Sequence, residues 1–148
     1  MVYKRVQKMS LTFIHDFQSR LYTLLFDDQE IMKSINKIYL GVVQDGKAPF
    51  VLINILKAED FLRHLESIYS VEFQISAYAK DNNHQLLIRL ADRIVTIVAS
   101  DNNNFAGYIV AGIKASDLQF EKAKDLVLNK LTINYKALIK KEVYHELP

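Results

Sequence analysis

The stretch LTINYKALIKK, residues 131–141, decides the fold, because apolar and polar side chains alternate along it. Most of its even positions are polar, whereas its odd positions carry the apolar side chains of Leu131, Ile133, Tyr135, Ala137 and Ile139. A period of two residues is typical of a strand with one buried face. We therefore predict a strand here, paired with the strand-like run at residues 108–120 across a polar turn at residues 121–125.

Three further strands are predicted upstream. Residues 68–79 alternate again, with Ser70, Glu72, Gln74 and Ser76 outside and five apolar side chains inside, those of Tyr69, Val71, Phe73, Ile75 and Ala77. A short strand is predicted at residues 38–42. Residues 50–56 are apolar on both faces, so we expect that strand to be covered on both sides, and residues 57–64 are predicted to be a connection.

Two amphipathic helices complete the pattern. The first is predicted from a cap at Ser10 to Phe26, with one apolar stripe formed by Ile14, Phe17, Leu21, Leu24 and Leu25. Residues 27–34 add a short helical turn. A second helix opens at Asp81, and its predicted buried stripe is Leu87, Leu90, Ala91, Ile94 and Val98.

The order α-β-β-β-α-β-β predicts an α+β protein. Short turns between neighbouring strands favour an antiparallel or mixed sheet of about five strands, with the two main helices packed on one face. The chain of 148 residues is expected to be one domain, residues 1–148, with flexible ends at residues 1–9 and 142–148.

The composition excludes several classes of protein. The formal net charge is only +2, so electrostatics alone do not indicate a nucleic-acid or membrane surface as partner. The chain contains no cysteine, which excludes disulfide frameworks, thiol nucleophiles and thiolate metal sites. No apolar run is long enough to span a bilayer, and we expect a soluble intracellular protein that does not bind membranes.

Candidate catalytic groups are sparse. The four histidines, His15, His64, His84 and His145, lack a recognised metal-ligand spacing, and we expect them to be solvated surface residues. The acidic residues Asp27, Asp28 and Glu30 sit where a helix N-terminus favours negative charge, so we interpret them as capping residues. We expect no enzyme activity, no metal and no cofactor.

A small nucleic-acid-binding module is an alternative that the lysines support. Lys130, Lys136 and Lys140 share the polar face of the last strand, and three further lysines are expected nearby, Lys114, Lys122 and Lys124. Such a face can follow phosphates. Lysine on a strand also prevents edge-to-edge aggregation, and Tyr135 points to the other face, so no base-stacking side chain lies among the lysines.

Taken in order, the segments resemble the tail-completion, or tail-terminator, proteins of long-tailed bacteriophages and gene transfer agents. The resemblance covers about residues 10–141. It begins with the helix LTFIHDFQSRLYTLLFDDQEIMKSI and the strand KIYLG, followed by the loop and Pro-aromatic strand start VVQDGKAPFVLINI. It continues with SVEFQISAYAKD feeding the helix NNHQLLIRLADRIVTIV, and closes with the strand pair in IVAGIKASDLQFEKAKDLVLNKLTINYKALIKK.

The resemblance implies a structural role in a virion tail, after assembly in the bacterial cytoplasm. Proteins of this kind form a ring, expected to be a hexamer, on the end of the tail tube. The ring ends tube polymerisation and presents a surface to the head–tail connector, and DNA passes through it without sequence-specific binding. A head–tail adaptor or joining protein is the nearest alternative within the same assembly.

Two groups of residues are candidates for the contacts of such a ring. Leu118, Phe120 and Leu138 are predicted to lie between subunits, because long strands with exposed apolar side chains can supply one patch of a heterologous contact. The loop formed by Gln44, Asp45, Gly46, Lys47 and Pro49 is predicted to be flexible and to touch the tail tube or the connector, since loops on rigid scaffolds commonly carry recognition.

Overall fold

Three helices and five strands form the described part of the chain, which in this computed structural model comprises residues 11–63, 66–80, 83–99, 104–122 and 128–141. The helices are α1 (Leu11–Phe26), α2 (Gln29–Ser34) and α3 (His84–Ala99). The strands are β1 (Lys37–Leu40), β2 (Phe50–Arg63), β3 (Glu66–Lys80), β4 (Tyr108–Lys122) and β5 (Leu128–Lys141).

The strands form one mixed sheet in the order β1-β2-β3-β5-β4. β1 runs parallel to β2, and all other neighbouring strands are antiparallel. The predicted α+β class, the five strands and the terminal hairpin are therefore confirmed. β4 and β1 form the two edges of the sheet, at opposite ends of the strand order.

All three helices pack against one side of the sheet, which we call the helix face; the other side is the open face. Phe17 of α1 meets Phe73 of β3 edge-on at 5.3 Å between ring centroids, and Phe73 stacks on Tyr135 of β5 at 4.9 Å. The predicted inward residues of β3 and β5 and the predicted stripe of α3 are all buried in this core. In α1 the predicted residues Phe17, Leu21 and Leu25 are buried, Phe13 joins them, and the predicted Ile14 and Leu24 are only partly buried.

β2 is much longer than predicted, and the predicted connection at residues 57–64 is wrong within the described residues. The strand continues to Arg63, because residues 57–63 pair with residues 66–72 of β3. A register shift between Ile55 and Lys57 marks a bulge in β2, and the pairing with β3 continues after it. The expectation that residues 50–56 are covered on both sides also fails at Leu56, which is 51% exposed.

Two serines that the alternation places outside are buried. Ser70 is 3% exposed and Ser76 is 2% exposed, although both lie on the open face. Ser76 and Thr132 share a hydroxyl–hydroxyl hydrogen bond of 3.0 Å, which satisfies both groups. Small side chains at such positions are shielded by larger neighbours on the same face, such as Gln74 and Tyr78 beside Ser76.

Several predictions concern residues outside the described ranges. These are the cap at Ser10, the start of the second helix at Asp81, the end of the polar turn with Lys124, the side chains of His64 and His145, and the chain ends at residues 1–9 and 142–148. Among the described helices, none combines the length and apolar character needed to cross a membrane.

Candidate assembly surfaces

Large apolar side chains that the fold leaves exposed define the candidate surfaces. Leu118 is 59% exposed, Phe120 49% and Leu138 43%. The other exposed large apolar residues among those described are Phe26, Leu40, Val42, Leu56 and Ile88. A monomeric surface tolerates single exposed leucines, whereas neighbouring ones at a sheet edge indicate a contact with another molecule.

The register of the hairpin separates the three predicted interface residues into two groups. Leu118 pairs with Ile133 and Phe120 with Leu131, so both lie on the helix face. Leu138 pairs with Ser70 on one side and Gly112 on the other, and it lies on the open face. The structure thus brings Leu118 and Phe120 together and places Leu138 away from them.

A third apolar residue, which the sequence reasoning missed, extends the surface around Leu118 and Phe120. The His84 ring at the start of α3 stacks on the Phe120 ring at 4.7 Å. Ile88 lies one helical turn beyond His84 on the same side of α3 and is 49% exposed. We call Ile88, Leu118 and Phe120 the β4 patch. The sequence signal that could have found Ile88 is that it is an apolar residue outside the predicted buried stripe of α3.

The two halves of β4 differ in how regular a strand edge they present. Register shifts between Val110 and Gly112 and between Ala115 and Asp117 mark bulges in the first half, where Asn104 also accepts a hydrogen bond from the Val110 N–H at 3.0 Å. Bulges and caps of this kind discourage pairing with another strand. Residues 117–122, the distal β4 segment, instead run in uninterrupted register with β5. The β4 patch therefore lies beside the regular half of the edge.

The opposite edge of the sheet also carries exposed apolar residues. Leu40 pairs with Ile53, which places it on the helix face, and it is 38% exposed. Val42 follows directly and is 63% exposed. Between them Gly41 has φ +79°, and the Val42 N–H donates to the Leu40 carbonyl at 2.9 Å in a tight turn. We call Leu40 and Val42 the β1 patch.

The predicted recognition loop is a short crossover between two parallel strands. Residues 41–49 leave the end of β1 and return to the start of β2 without a helix. The Asn36 side chain donates to the carbonyls of Lys47 at 2.8 Å and Ala48 at 3.3 Å, and the Asn36 N–H donates to the Pro49 carbonyl at 2.8 Å. The loop predicted to be flexible is therefore anchored at its return to the sheet.

Gly46 holds the middle of the same loop against the sheet. A Cβ atom on Gly46 would lie 2.6 Å from Val43 Cγ1, which is closer than real contacts allow, and 3.0 Å from Phe50 Cε2, which is a tight contact. Phe50 lies on the open face beside Tyr78, so the loop crosses on that side of the sheet. Gln44, Asp45 and Lys47 remain exposed on the anchored loop, and their side chains are available to a partner.

An aromatic row crosses the open face from β1 to β5. Phe50 stacks on Tyr78 with centroids 4.5 Å apart and meets Tyr39 edge-on at 5.4 Å. Lys37 lies over Tyr39 at 5.2 Å, and Lys130 lies over Tyr78 at 5.6 Å. Phe50 and Tyr78 stack on each other, and lysines lie over Tyr39 and Tyr78. Because these ring faces are occupied, the row does not form a flat platform for nucleic-acid bases.

The predicted lysine face is confirmed for Lys130, Lys136, Lys140 and Lys114, which lie on the open face, whereas Lys122 pairs with Asn129 and lies on the helix face. Acidic side chains lie among the open-face lysines. Lys136 has Glu72 as its neighbour in β3 and Lys114 as its neighbour in β4. Lys130 lies opposite Glu121. This mixture of signs weakens the phosphate-binding potential of the face relative to lysines alone.

The predicted capping role of the acidic cluster is confirmed at Asp28. Its carboxylate accepts a hydrogen bond from the Ile31 N–H at 3.1 Å and caps α2. The same carboxylate accepts two hydrogen bonds from Arg93 of α3, at 2.7 Å from Nη2 and 3.1 Å from Nε. Arg93 holds the pKa of Asp28 below its ordinary value, and the Ile31 N–H acts in the same direction, against the effect of burial.

The remaining polar groups of the described residues include a charged cleft and a buried tyrosine hydroxyl. No cluster of three or more histidine and acidic side chains that could hold a metal is found in them. A cleft of about 450 Å³ between α2 and α3 is lined mainly by the charged residues that surround the Asp28–Arg93 pair. Burial raises the pKa of Tyr135, whose hydroxyl has no hydrogen-bond partner. His15 and His84 are exposed.

Comparisons with known proteins give likenesses in structure only. No family model matches the sequence, and no curated protein matches it. Among solved structures, a chain of the virion of a native gene transfer agent particle is similar with a TM-score of 0.73 at 11% identity, covering 88% of this chain and 99% of that chain. The bacteriophage SPP1 gp17 protein is similar with a TM-score of 0.53 at 14% identity, covering 98% of this chain and 100% of that one.

These likenesses show that the chain shares its fold with both proteins. One comes from a gene transfer agent and the other from a bacteriophage, which are the two kinds of particle that the resemblance in the sequence names. The resemblance is therefore confirmed at the level of the fold. Nearly the whole length of each solved chain is matched, so the likeness is not confined to one part of either solved chain.

Proposed function

We propose that this chain is a tail-completion protein that forms a ring, a hexamer, on the end of a phage-type tail tube. The ring ends tube polymerisation and presents the surface to which the head–tail connector attaches. DNA passes through its centre without sequence-specific binding, and the protein performs no catalytic step. It acts in the virion tail after assembling in the bacterial cytoplasm. The observation that carries this proposal is the match of the complete fold to chains from a gene transfer agent and a bacteriophage.

The distribution of exposed apolar side chains supports assembly into a ring. A ring needs two different patches on each subunit, because one patch meets the other patch of the next subunit. The β4 patch and Leu138 lie on opposite faces of the hairpin, so they suit contacts with two different molecules. We assign the β4 patch to the contact between subunits and Leu138 to a contact made by the open face.

The anchored crossover loop supports a contact with the tube or the connector. Its exposed residues Gln44, Asp45 and Lys47 stand on a backbone that Asn36 and Gly46 hold in place. A fixed loop loses little conformational entropy when it binds, so even a small contact can contribute to affinity.

The first test is the mass of the purified protein by light scattering after gel filtration, across a range of concentrations, with electron microscopy of the same sample. Purified tail tubes are added in a second series, because weak subunit contacts can require a template. A closed ring with a central hole, alone or on tube ends, is the expected result. Tubes that keep elongating in the presence of the protein, with no ring on their ends, would contradict the proposal.

The same samples distinguish the alternatives. A joining protein would bind finished tubes and heads without stopping elongation of free tubes. A nucleic-acid module would be retained on DNA in a salt-dependent way, and replacing both Lys136 and Lys140 with glutamine would abolish that retention. We expect no salt-dependent retention on DNA, since Lys136 is flanked by Glu72, and the proposed ring predicts that free tubes stop elongating.

A further inference from the structure

We propose that the contact between neighbouring subunits joins the two opposite edges of the sheet, with the distal β4 segment of one copy packed against β1 of the next. This inference rests on the proposed ring and names the two surfaces that build it. The occupant of each edge is thus a second copy of this chain. Three features of the two edges support this contact: their backbone, their side chains and the symmetry that they allow.

The backbone offers one regular open edge at each end of the sheet. The distal β4 segment runs without a bulge, whereas the first half of β4 is interrupted twice and capped by Asn104. β1 is the other edge and is four residues long. Within the regular part of β4, the five residues from Asp117 to Glu121 are enough to accept the whole of β1. Unpaired edges of this kind readily add a strand from another chain.

The side chains of the two edges are complementary on both faces. On the helix face, Leu40 of β1 would lie against Leu118 and Phe120 of the neighbouring copy, and all three are exposed apolar side chains in the single chain. On the open face, Lys37 of β1 is exposed and pairs with Phe50 in its own sheet.

The matching open-face positions of the distal β4 segment are acidic. Asp117 pairs with Asn134 and Glu121 pairs with Lys130, so both carboxylates lie on that face, and both residues are exposed. When the two sheets continue each other, apolar residues meet apolar residues on one face and Lys37 meets carboxylates on the other. Complementarity on both faces fixes the orientation of the two copies.

The symmetry follows from the strand order. Because β1 and β4 are at opposite ends of the sheet, a growing row of copies keeps one free β1 edge and one free β4 edge after every addition. Such a head-to-tail contact produces a ring if the rotation between copies closes. A single contact of a four-residue strand and a few side chains is small compared with a stable interface, so we expect closure or a tube end to be needed for strong assembly.

The absence of cysteine from the chain allows a direct test. Leu40→Cys and Leu118→Cys are prepared as separate variants, since cysteine behaves as a small apolar residue at both sites. Each variant alone, and the two mixed, are treated with a short bifunctional thiol crosslinker in the presence of purified tail tubes. Thr23→Cys, at an exposed position on α1, is the matched control and is mixed with each variant.

The expected result is a crosslinked dimer in the Leu40→Cys and Leu118→Cys mixture, and at least tenfold less product with either variant alone or with the control. A chain carrying both changes should give a ladder that stops at the ring size. Efficient crosslinking of Leu118→Cys to itself would overturn the inference, because it indicates a symmetric contact between two β4 edges.

The test also separates this inference from the proposed function. If microscopy shows rings on tube ends but the mixture does not crosslink, the ring proposal stands and the edge contact is wrong. If the unmodified chain forms no ring and does not stop tube growth, the proposed function fails, whatever the crosslinking result.

Discussion

β5 and β4 are consecutive strands of one hairpin, yet they have opposite relations to the core. Ile133 of β5 is 1% exposed, while Leu118, its partner in register on β4, is 59% exposed. The two side chains are aliphatic, have the same size and lie on the same face. They differ in position, because β5 lies between two strands and β4 has a neighbour on one side only. An apolar residue at the edge of this sheet thus marks a surface that another molecule can cover.

The largest effect should come from truncating the buried member of that pair. Ile133→Ala should lower the free energy of unfolding by about 3 kcal/mol, because it removes buried methylene groups and leaves a cavity. Leu118→Ala should change it by less than about 0.5 kcal/mol, as expected of an exposed site. Urea denaturation followed by circular dichroism measures both. Equal losses in the two variants would mean that the edge strand belongs to the core of the single chain.

The second effect concerns assembly. Here the exposed residue of β4 is expected to matter, whereas the buried residue of β5 dominates the free energy of unfolding. Leu118→Glu should leave the unfolding curve unchanged but weaken the contact between subunits roughly tenfold or more, because a leucine side chain contributes about 1.5–3 kcal/mol when it is buried. The readout is the protein concentration at which rings appear on tube ends. Phe26→Glu is the control, since Phe26 is 51% exposed and lies at the end of α1, outside the sheet. Unchanged assembly of Leu118→Glu would remove the β4 patch from the interface.

The third effect compares the same two strands on the open face. Thr132 is 2% exposed and shares its hydroxyl with Ser76, whereas its register partner Gln119 is exposed. Thr132→Val should cost about 1–2 kcal/mol, because it leaves the buried Ser76 hydroxyl without a partner. Gln119→Val should be nearly neutral. Adding Ser76→Ala to Thr132→Val should recover part of the loss, and a failure to recover would mean that the hydrogen bond is not the cause.

The smallest effect lies in the helix layer and depends on pH, unlike the apolar contacts of β5. Arg93 lowers the pKa of Asp28 in the folded chain, so the pair stabilises the fold above the ordinary carboxyl pKa. That contribution is lost as the pH falls through the lowered pKa of the folded state. Asp28→Asn keeps a capping side chain and removes the charge, so it should be less stable than the natural chain at neutral pH and equally stable in strong acid.

Asp28→Ala is the reference for that comparison, because it removes the cap as well and should cost about 1 kcal/mol more than Asp28→Asn at every pH. Thermal unfolding at a series of pH values measures the three chains together. A constant difference between Asp28→Asn and the natural chain down to strong acid would show that the Asp28–Arg93 pair does not stabilise the fold.

The sequence predicted the inner strands and helices well because local patterns decide them. In β3 and β5 one face is buried along the whole strand, so the alternation of side chains follows the environment directly. The stripe of α3 and the cap at Asp28 are local in the same sense. Residues 57–63, KAEDFLR, were mispredicted because polar and apolar residues do not alternate along them; pairing with β3 determines that they form a strand.

The candidate surfaces were only partly predictable, since they depend on which strands form the edges. Exposure of Leu118, Phe120 and Leu138 was expected, but their division between two faces depends on the register across the hairpin and on two bulges in β4. No local pattern gives that register. No local pattern gives the parallel pairing of β1 with β2 either, and this pairing places Leu40 and Val42 at the edge of the sheet.

The crossover loop separates the residues that hold its shape from those that face outward. Asn36 and Gly46 hold the backbone in place, while the side chains of Gln44, Asp45 and Lys47 are exposed, and Asp45 also has a positive φ of 52°. Under the proposed function, a change of partner on the tube or the head can be matched by exchanging the Gln44 and Lys47 side chains, at little cost in folding. Partner choice and architecture can then diverge at different rates, in keeping with a shared fold at 11% identity.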